Sequence, residues 1–287
     1  MPDITAIVVI GALTAALYIF VIGALIKRWS DPGGGAGCAL PPKLPVGRVP
    51  VWFYKPVDLL GAGFVFVVFG ALVMASVRGV GQEVHALKPS TLLMSIGFQL
   101  VMAGVVASMV VRRVGWVVWL GLRCPGWQWV ILLGPGSVLF MWAVFGGLQV
   151  SGYVEWMESL GVETVQESVK LLQKSEDPAI LGLMAVAAVV VAPLCEEVVF
   201  RGYFYPVLKK FAGFWPAVIC SAVVFASAHG NLTAMLPLFI FGGLLVLIYE
   251  KTGSLWAPIA VHCCFNSATV IVQAAARIYH WQLDAMP

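Results

Sequence analysis

The chain has 287 residues, 61% hydrophobic and 11% charged, with a net charge of +3 and a mean hydropathy of +0.95. Soluble domains are about 45–50% apolar and about 25% charged, so this composition excludes an ordinary soluble protein and predicts an all-α, polytopic membrane helix bundle. The basic residues are scattered at segment ends rather than striped along one face, which argues against a nucleic-acid partner and leaves the lipid bilayer as the first partner.

In chain order, the apolar runs predict about eight transmembrane helices, at 4–26, 58–77, 91–111, 128–149, 179–200, 214–229, 232–249 and 255–276. Most reach the length needed for about 30 Å of hydrocarbon, and the sixth is short. The first run is too long for a signal peptide's apolar region, and its positive charge, Lys27 and Arg28, follows it. It therefore reads as a span with the N-terminus outside. That orientation puts Lys27, Arg28, Lys43, Arg48, Lys55, Arg112, Arg113, Arg123, Arg201, Lys209, Lys210 and Lys251 inside, 12 of the 17 basic residues, with both termini on the exterior of a cell membrane.

The segment 31–50, rich in Gly and Pro, reads as an irregular cytoplasmic linker. Residues 151–178 carry Val162, Val165, Val169 and Leu172 at helical spacing among glutamates, predicting an extramembrane amphipathic helix on the outer surface. The domain plan is thus four N-terminal spans over 1–150 with no assigned role, this acidic segment over 151–178, and a core over 179–276.

The core holds the chain's anomaly. Glu196, Glu197 and Arg201 interrupt one of its most apolar stretches, where a charge costs roughly 2.5–3.5 kcal/mol at mid-membrane. Glu197 and Arg201, four apart, share a helix face and can neutralise each other. Glu196 points about 100° away and needs a partner on another span. His229 ends the next apolar run, where it reads either as an interfacial anchor or as a site residue. His262 and Asn266 share a face of the last span and must point toward protein or water. His85 and His280 fall in loops. Six cysteines show no metal or disulfide spacing, and a thiol nucleophile at Cys195 is disfavoured by the carboxylate beside it.

Carboxylate, imidazoles and amide on neighbouring spans fit three chemistries. One is hydrolysis by activated water, another a metal site, and the third a proton relay. The absence of a His-Glu-x-x-His pattern and of paired broken helices weakens the last two.

On these residues the core resembles the CAAX-protease and bacteriocin-processing family of intramembrane proteases. Glu196, Glu197 and Arg201 match its Glu-Glu-x-x-x-Arg motif; Phe225 and His229 match Phe-x-x-x-His; His262 and Asn266 match His-x-x-x-Asn. Phe239, Gly242, residues 252–256 and Pro258 resemble the family's run into its final helix. The resemblance implies an endopeptidase whose site lies in the C-terminal four helices and needs no cofactor or metal. In it Glu196 would be the general base and His229 would hold the water. His262 and Asn266 would stabilise the oxyanion, while Glu197 and Arg201 would support the first helix. The substrate it implies is a peptide or membrane protein, prenylated in some relatives. A zinc-dependent intramembrane protease and a non-catalytic scaffold or immunity protein are the alternative readings.

Overall fold

Nine helices make up the described residues of the computed structural model, which are 4–30, 48–79, 89–122, 127–162, 164, 169, 175 and 177–279. They are α1 (Ile4–Ser30), α2 (Asp58–Gly79), α3 (Pro89–Trp119), α4 (Gln128–Val150), α5 (Tyr153–Ser159), α6 (Pro178–Ala212), α7 (Phe214–Ser227), α8 (Leu232–Thr252) and α9 (Trp256–Ile278). No strand occurs among these residues. The linker 31–47, His85, His280, Cys38 and Cys124 lie outside them.

Among the described residues seven helices are long and apolar enough to cross a membrane; α7, the predicted sixth span, is not one of them. Its 14 residues rise about 21 Å, short of the roughly 30 Å hydrocarbon core. Gly213, at φ 87°, turns the chain sharply from α6 into α7, a backbone conformation that glycine alone adopts without strain. The predicted fifth span is instead longer than expected: α6 runs 35 residues. Its start is set by Asp177, whose carboxylate accepts from the Ala179 N–H at 2.8 Å, with Pro178 in the first turn.

Helix α8 is the centre of the bundle, with 61% of its apolar window buried against 17–33% for the other spanning helices. Asn231 caps its start by accepting from the Ala234 N–H at 2.8 Å. At Gly242 an added Cβ would stand 3.1 Å from the Phe225 ring and 3.3 Å from the Ala222 backbone. The missing side chain is what allows α8 to lie this close to α7.

Many of the basic residues predicted to lie inside gather at one end of the bundle. Lys27 donates to the carbonyls of Lys209 and Lys210, and Lys209 pairs with Glu250 at 2.5 Å. Arg113 pairs with the buried Asp58 at 2.6 Å. The Arg48 N–H donates to the Glu250 carbonyl, which fastens residues 48–57 across this end. Tyr54 in that segment and Trp119 both donate to the Gly202 carbonyl, at 2.7 and 2.8 Å. That carbonyl is free because the residue four positions on is Pro206, which has no N–H to offer. Burial pushes the Tyr54 phenol well above its ordinary range, so it stays a donor.

The opposite end carries the acidic segment. Among its described residues Tyr153–Ser159 and Val169 are helical, and most of the predicted amphipathic helix lies outside the described residues. The described part packs inward: Met157, Val162 and Leu232 form a small buried cluster, and the Tyr153 hydroxyl donates to the Thr233 carbonyl at 3.2 Å. The segment therefore buries its apolar side chains on the turn between α7 and α8. Val165 and Leu172 lie outside the described residues.

Candidate functional site

Helix α6 brings its charges into place through two irregular turns. A π turn at Ala187–Val191 precedes the α-helical stretch with Glu196 and Glu197, and a second at Phe200–Phe204 follows it. Each extra residue rotates the downstream face by about 100°, and such turns concentrate at functional sites. Pro193 explains a further contact. In the π register it would bind the Ala188 carbonyl, but it has no N–H, and the Asn266 amide donates to that oxygen instead, at 2.7 Å. One N–H of Asn266 is thereby committed, leaving its second N–H and its Oδ1.

Glu197 is fully buried and sits at the hub of an ion network. Its Oε1 accepts from Arg201 at 2.9 Å and from His262 Nδ1 at 2.9 Å. Arg201, also fully buried, donates in addition to the Gly242 carbonyl at 3.0 Å and lies over the Phe225 ring at 4.3 Å. The local pair expected from the spacing is thus a three-membered link that joins α6, α8 and α9. Because Nδ1 of His262 donates to Glu197, its Nε2 is the nitrogen turned toward Glu196, 3.9 Å from Oε2.

Glu196 points the other way, with its side chain 22% exposed. Its Oε2 is buried and makes no hydrogen bond among the described residues. The His229 Nδ1 lies 2.9 Å from the Phe225 carbonyl, so it carries the proton and leaves Nε2 free. Phe225 touches both imidazoles edge-on, at 5.0 Å from the His229 ring and 5.9 Å from the His262 ring. The aromatic residue of the Phe-x-x-x-His pattern is therefore the wall that spaces the two histidines.

Glu196, His229, His262 and Asn266 all line one cavity of about 340 Å³. A second cavity of about 270 Å³, between α2, α3 and α6, shares Glu196 and His229. Gln99 of α3 lines both, and its buried Oε1 has no hydrogen-bond partner among the described residues. Sequence reasoning passed over it. The available signal was a single amide within the apolar run 91–111, one turn after Ser95, which lines the second cavity. Gln273, buried on α9, also lines the larger cavity and was likewise missed.

Leu92, Phe145, Met184, Ala234 and Gln273, which also line the larger cavity, all lie close to the helix ends remote from the basic cluster. Among the described residues, no three His, Cys, Asp or Glu side chains are grouped as a metal site.

Residues 178–268 match the family model described as type II CAAX prenyl endopeptidase Rce1-like. A protein of Bacillus subtilis (strain 168) named as a candidate membrane peptidase, YdiL, is 31% identical over 91 residues, which is 32% of this chain and 37% of that one. The chain thus aligns with little more than a third of the length of this curated relative. No solved structure matches the chain.

Proposed function

From a C-terminal segment that belongs to the CAAX-protease family, we propose that the chain is an intramembrane endopeptidase that hydrolyses a peptide bond with water activated by Glu196. The observation that carries this reading is the division of labour between adjacent carboxylates. Among the described residues each carboxylate keeps one buried oxygen without a partner, but the other oxygen of Glu197 is held by Arg201 and His262 in a fully buried network, whereas Glu196 is held by neither residue at hydrogen-bond distance and lines the cavity.

Glu196 takes a proton from a water held also by His229 Nε2, and the hydroxide oxygen bonds to the substrate carbonyl carbon. The resulting oxyanion accepts from His262 Nε2–H and from the free N–H of Asn266. For His262 to donate there while Nδ1 donates to Glu197, the ring carries both protons, and Glu196 and Glu197 together balance the imidazolium and Arg201. Collapse breaks the C–N bond, and the proton held by Glu196 passes to the leaving amine. No side chain bonds to the substrate, so no acyl-enzyme forms.

Purified protein in proteoliposomes tests this with two quenched-fluorescent probes, a farnesylated Cys-a-a-X peptide and an unprenylated apolar peptide. Cleavage by the native chain, its loss in Glu196→Gln, and one ¹⁸O atom entering the new carboxyl group from labelled water are expected. Cleavage by Glu196→Gln at the native rate would sink the assignment.

A further inference from the structure

The two cavities share three residues, Gln99, Glu196 and His229, and differ in the rest of their walls. Glu196 and His229 belong to the proposed chemistry, whereas Gln99 has no part in it. Its Oε1 is buried and makes no hydrogen bond among the described residues, although α3 packs on the stretch Ala192–Val199 that carries Glu196. The Glu196 Oε2 at the same seam is also unpartnered and, as an acceptor itself, offers the Gln99 oxygen no donor. That oxygen has been taken out of water and left open to an incoming N–H.

The larger cavity holds the oxyanion donors His262 and Asn266. The smaller, of about 270 Å³, is walled by Phe69 and Leu72 of α2, Phe98 and Met102 of α3, and Val199 and Phe200 of α6, a lining suited to an apolar side chain. A peptide with its scissile carbonyl between Glu196 and those donors reaches the smaller cavity by passing the three shared residues. Each of its peptide groups leaves water on entering so apolar a site and needs a partner there. A glutamine amide is the same chemical group as a peptide bond, with a carbonyl to accept an N–H and an NH₂ to donate to a carbonyl. We propose that Gln99 is a substrate-binding residue. Its amide pairs with a peptide group beside the scissile bond, where the chain crosses from the larger cavity into the smaller, and the smaller seats an apolar side chain of the substrate. This contact rests on the protease reading.

Ester-substituted peptides test the contact. In the unprenylated apolar probe each amide near the scissile bond is replaced in turn by an ester, which deletes one N–H, while the scissile bond stays an amide. Native protein in proteoliposomes should lose about tenfold in kcat/KM at one of these positions, the loss expected for one neutral hydrogen bond. Gln99→Leu should show the same loss with the all-amide probe, carried mostly in KM, and should be indifferent to the ester at that position. A merely structural role for Gln99 would not abolish sensitivity at a single peptide group. Native efficiency in Gln99→Leu overturns the proposal. So does a native chain with no sensitive position, or a Gln99→Leu chain as sensitive there as the native one. Gln99→Met, closer in length, takes the place of Gln99→Leu if the latter fails to accumulate. A native chain that cleaves no probe removes the protease reading, and binding of a fluorescein-labelled probe, read by anisotropy, then decides on Gln99 separately. Weaker binding by Gln99→Leu, by the same factor, keeps the contact; equal binding or none removes it.

Discussion

Replacing Arg201 with Met separates the groups that hold the core from the group that does chemistry. The guanidinium is wholly buried, bonds Glu197 at 2.9 Å and the Gly242 carbonyl at 3.0 Å, and stacks on Phe225 at 4.3 Å. Arg201→Met keeps much of the volume but strands the Glu197 charge, and breaking a buried pair this way costs about 3–5 kcal/mol. At about 2–4 °C per kcal/mol for a protein of this size, melting should fall by on the order of 10 °C. The double variant Glu197→Gln with Arg201→Met removes the stranded charge and should regain part of that loss. Glu196→Gln, by contrast, touches neither member and should melt with the native chain. Tryptophan fluorescence of protein in detergent, followed on heating, reads all four. An Arg201→Met variant that melts within a degree or two of native would refute the network, and a Glu196→Gln variant that melts well below native would mark Glu196 as structural.

Gln99→Leu removes a buried acceptor that has no partner, so its melting temperature should hold or rise; a clear fall would show that the amide is engaged. Asn266→Ala leaves the Ala188 carbonyl without a donor and should cost about 1–3 kcal/mol in addition to lowering kcat, read by melting and by peptide cleavage. Chelation followed by elemental analysis should leave activity intact with no stoichiometric zinc, and recovery of lost activity by added zinc would reverse the catalytic assignment. Reporter fusions after Ser30 and after Lys251 should both read cytoplasmic, and opposite readings would remove the topology.

The spans were legible because 18 or more apolar residues have one physical outcome in a bilayer, and the charges Glu196, Glu197 and Arg201 advertised themselves by their cost in so apolar a run. Less could be read where backbone chemistry intervenes. The π turns of α6 each end two residues before a proline, at 193 and 206, and the carbonyls those prolines leave unmatched find distant donors, Asn266 in one case and Tyr54 with Trp119 in the other, which no local pattern announces. The link from Glu197 to His262 joins residues 65 apart and depends on how α6 meets α9. Gln99 was hidden because one amide in an apolar run looks like tolerance until its neighbours are known. The shortness of α7 was visible as a short run, yet what stands beside its end, and hence which half holds the cavity, is a matter of three-dimensional packing.

That same α7 bears on how the chain enters the bilayer. A 14-residue helix bounded by Gly213 and the 228–231 turn is too short to partition stably as an independent segment, while its neighbour α8 is the most thoroughly enclosed helix of the bundle. The expected consequence is that the two insert as one hairpin during biosynthesis. A ribosome-bound chain truncated shortly after α7 should leave that helix accessible to cytosolic modification, whereas one extended past α8 should protect both together.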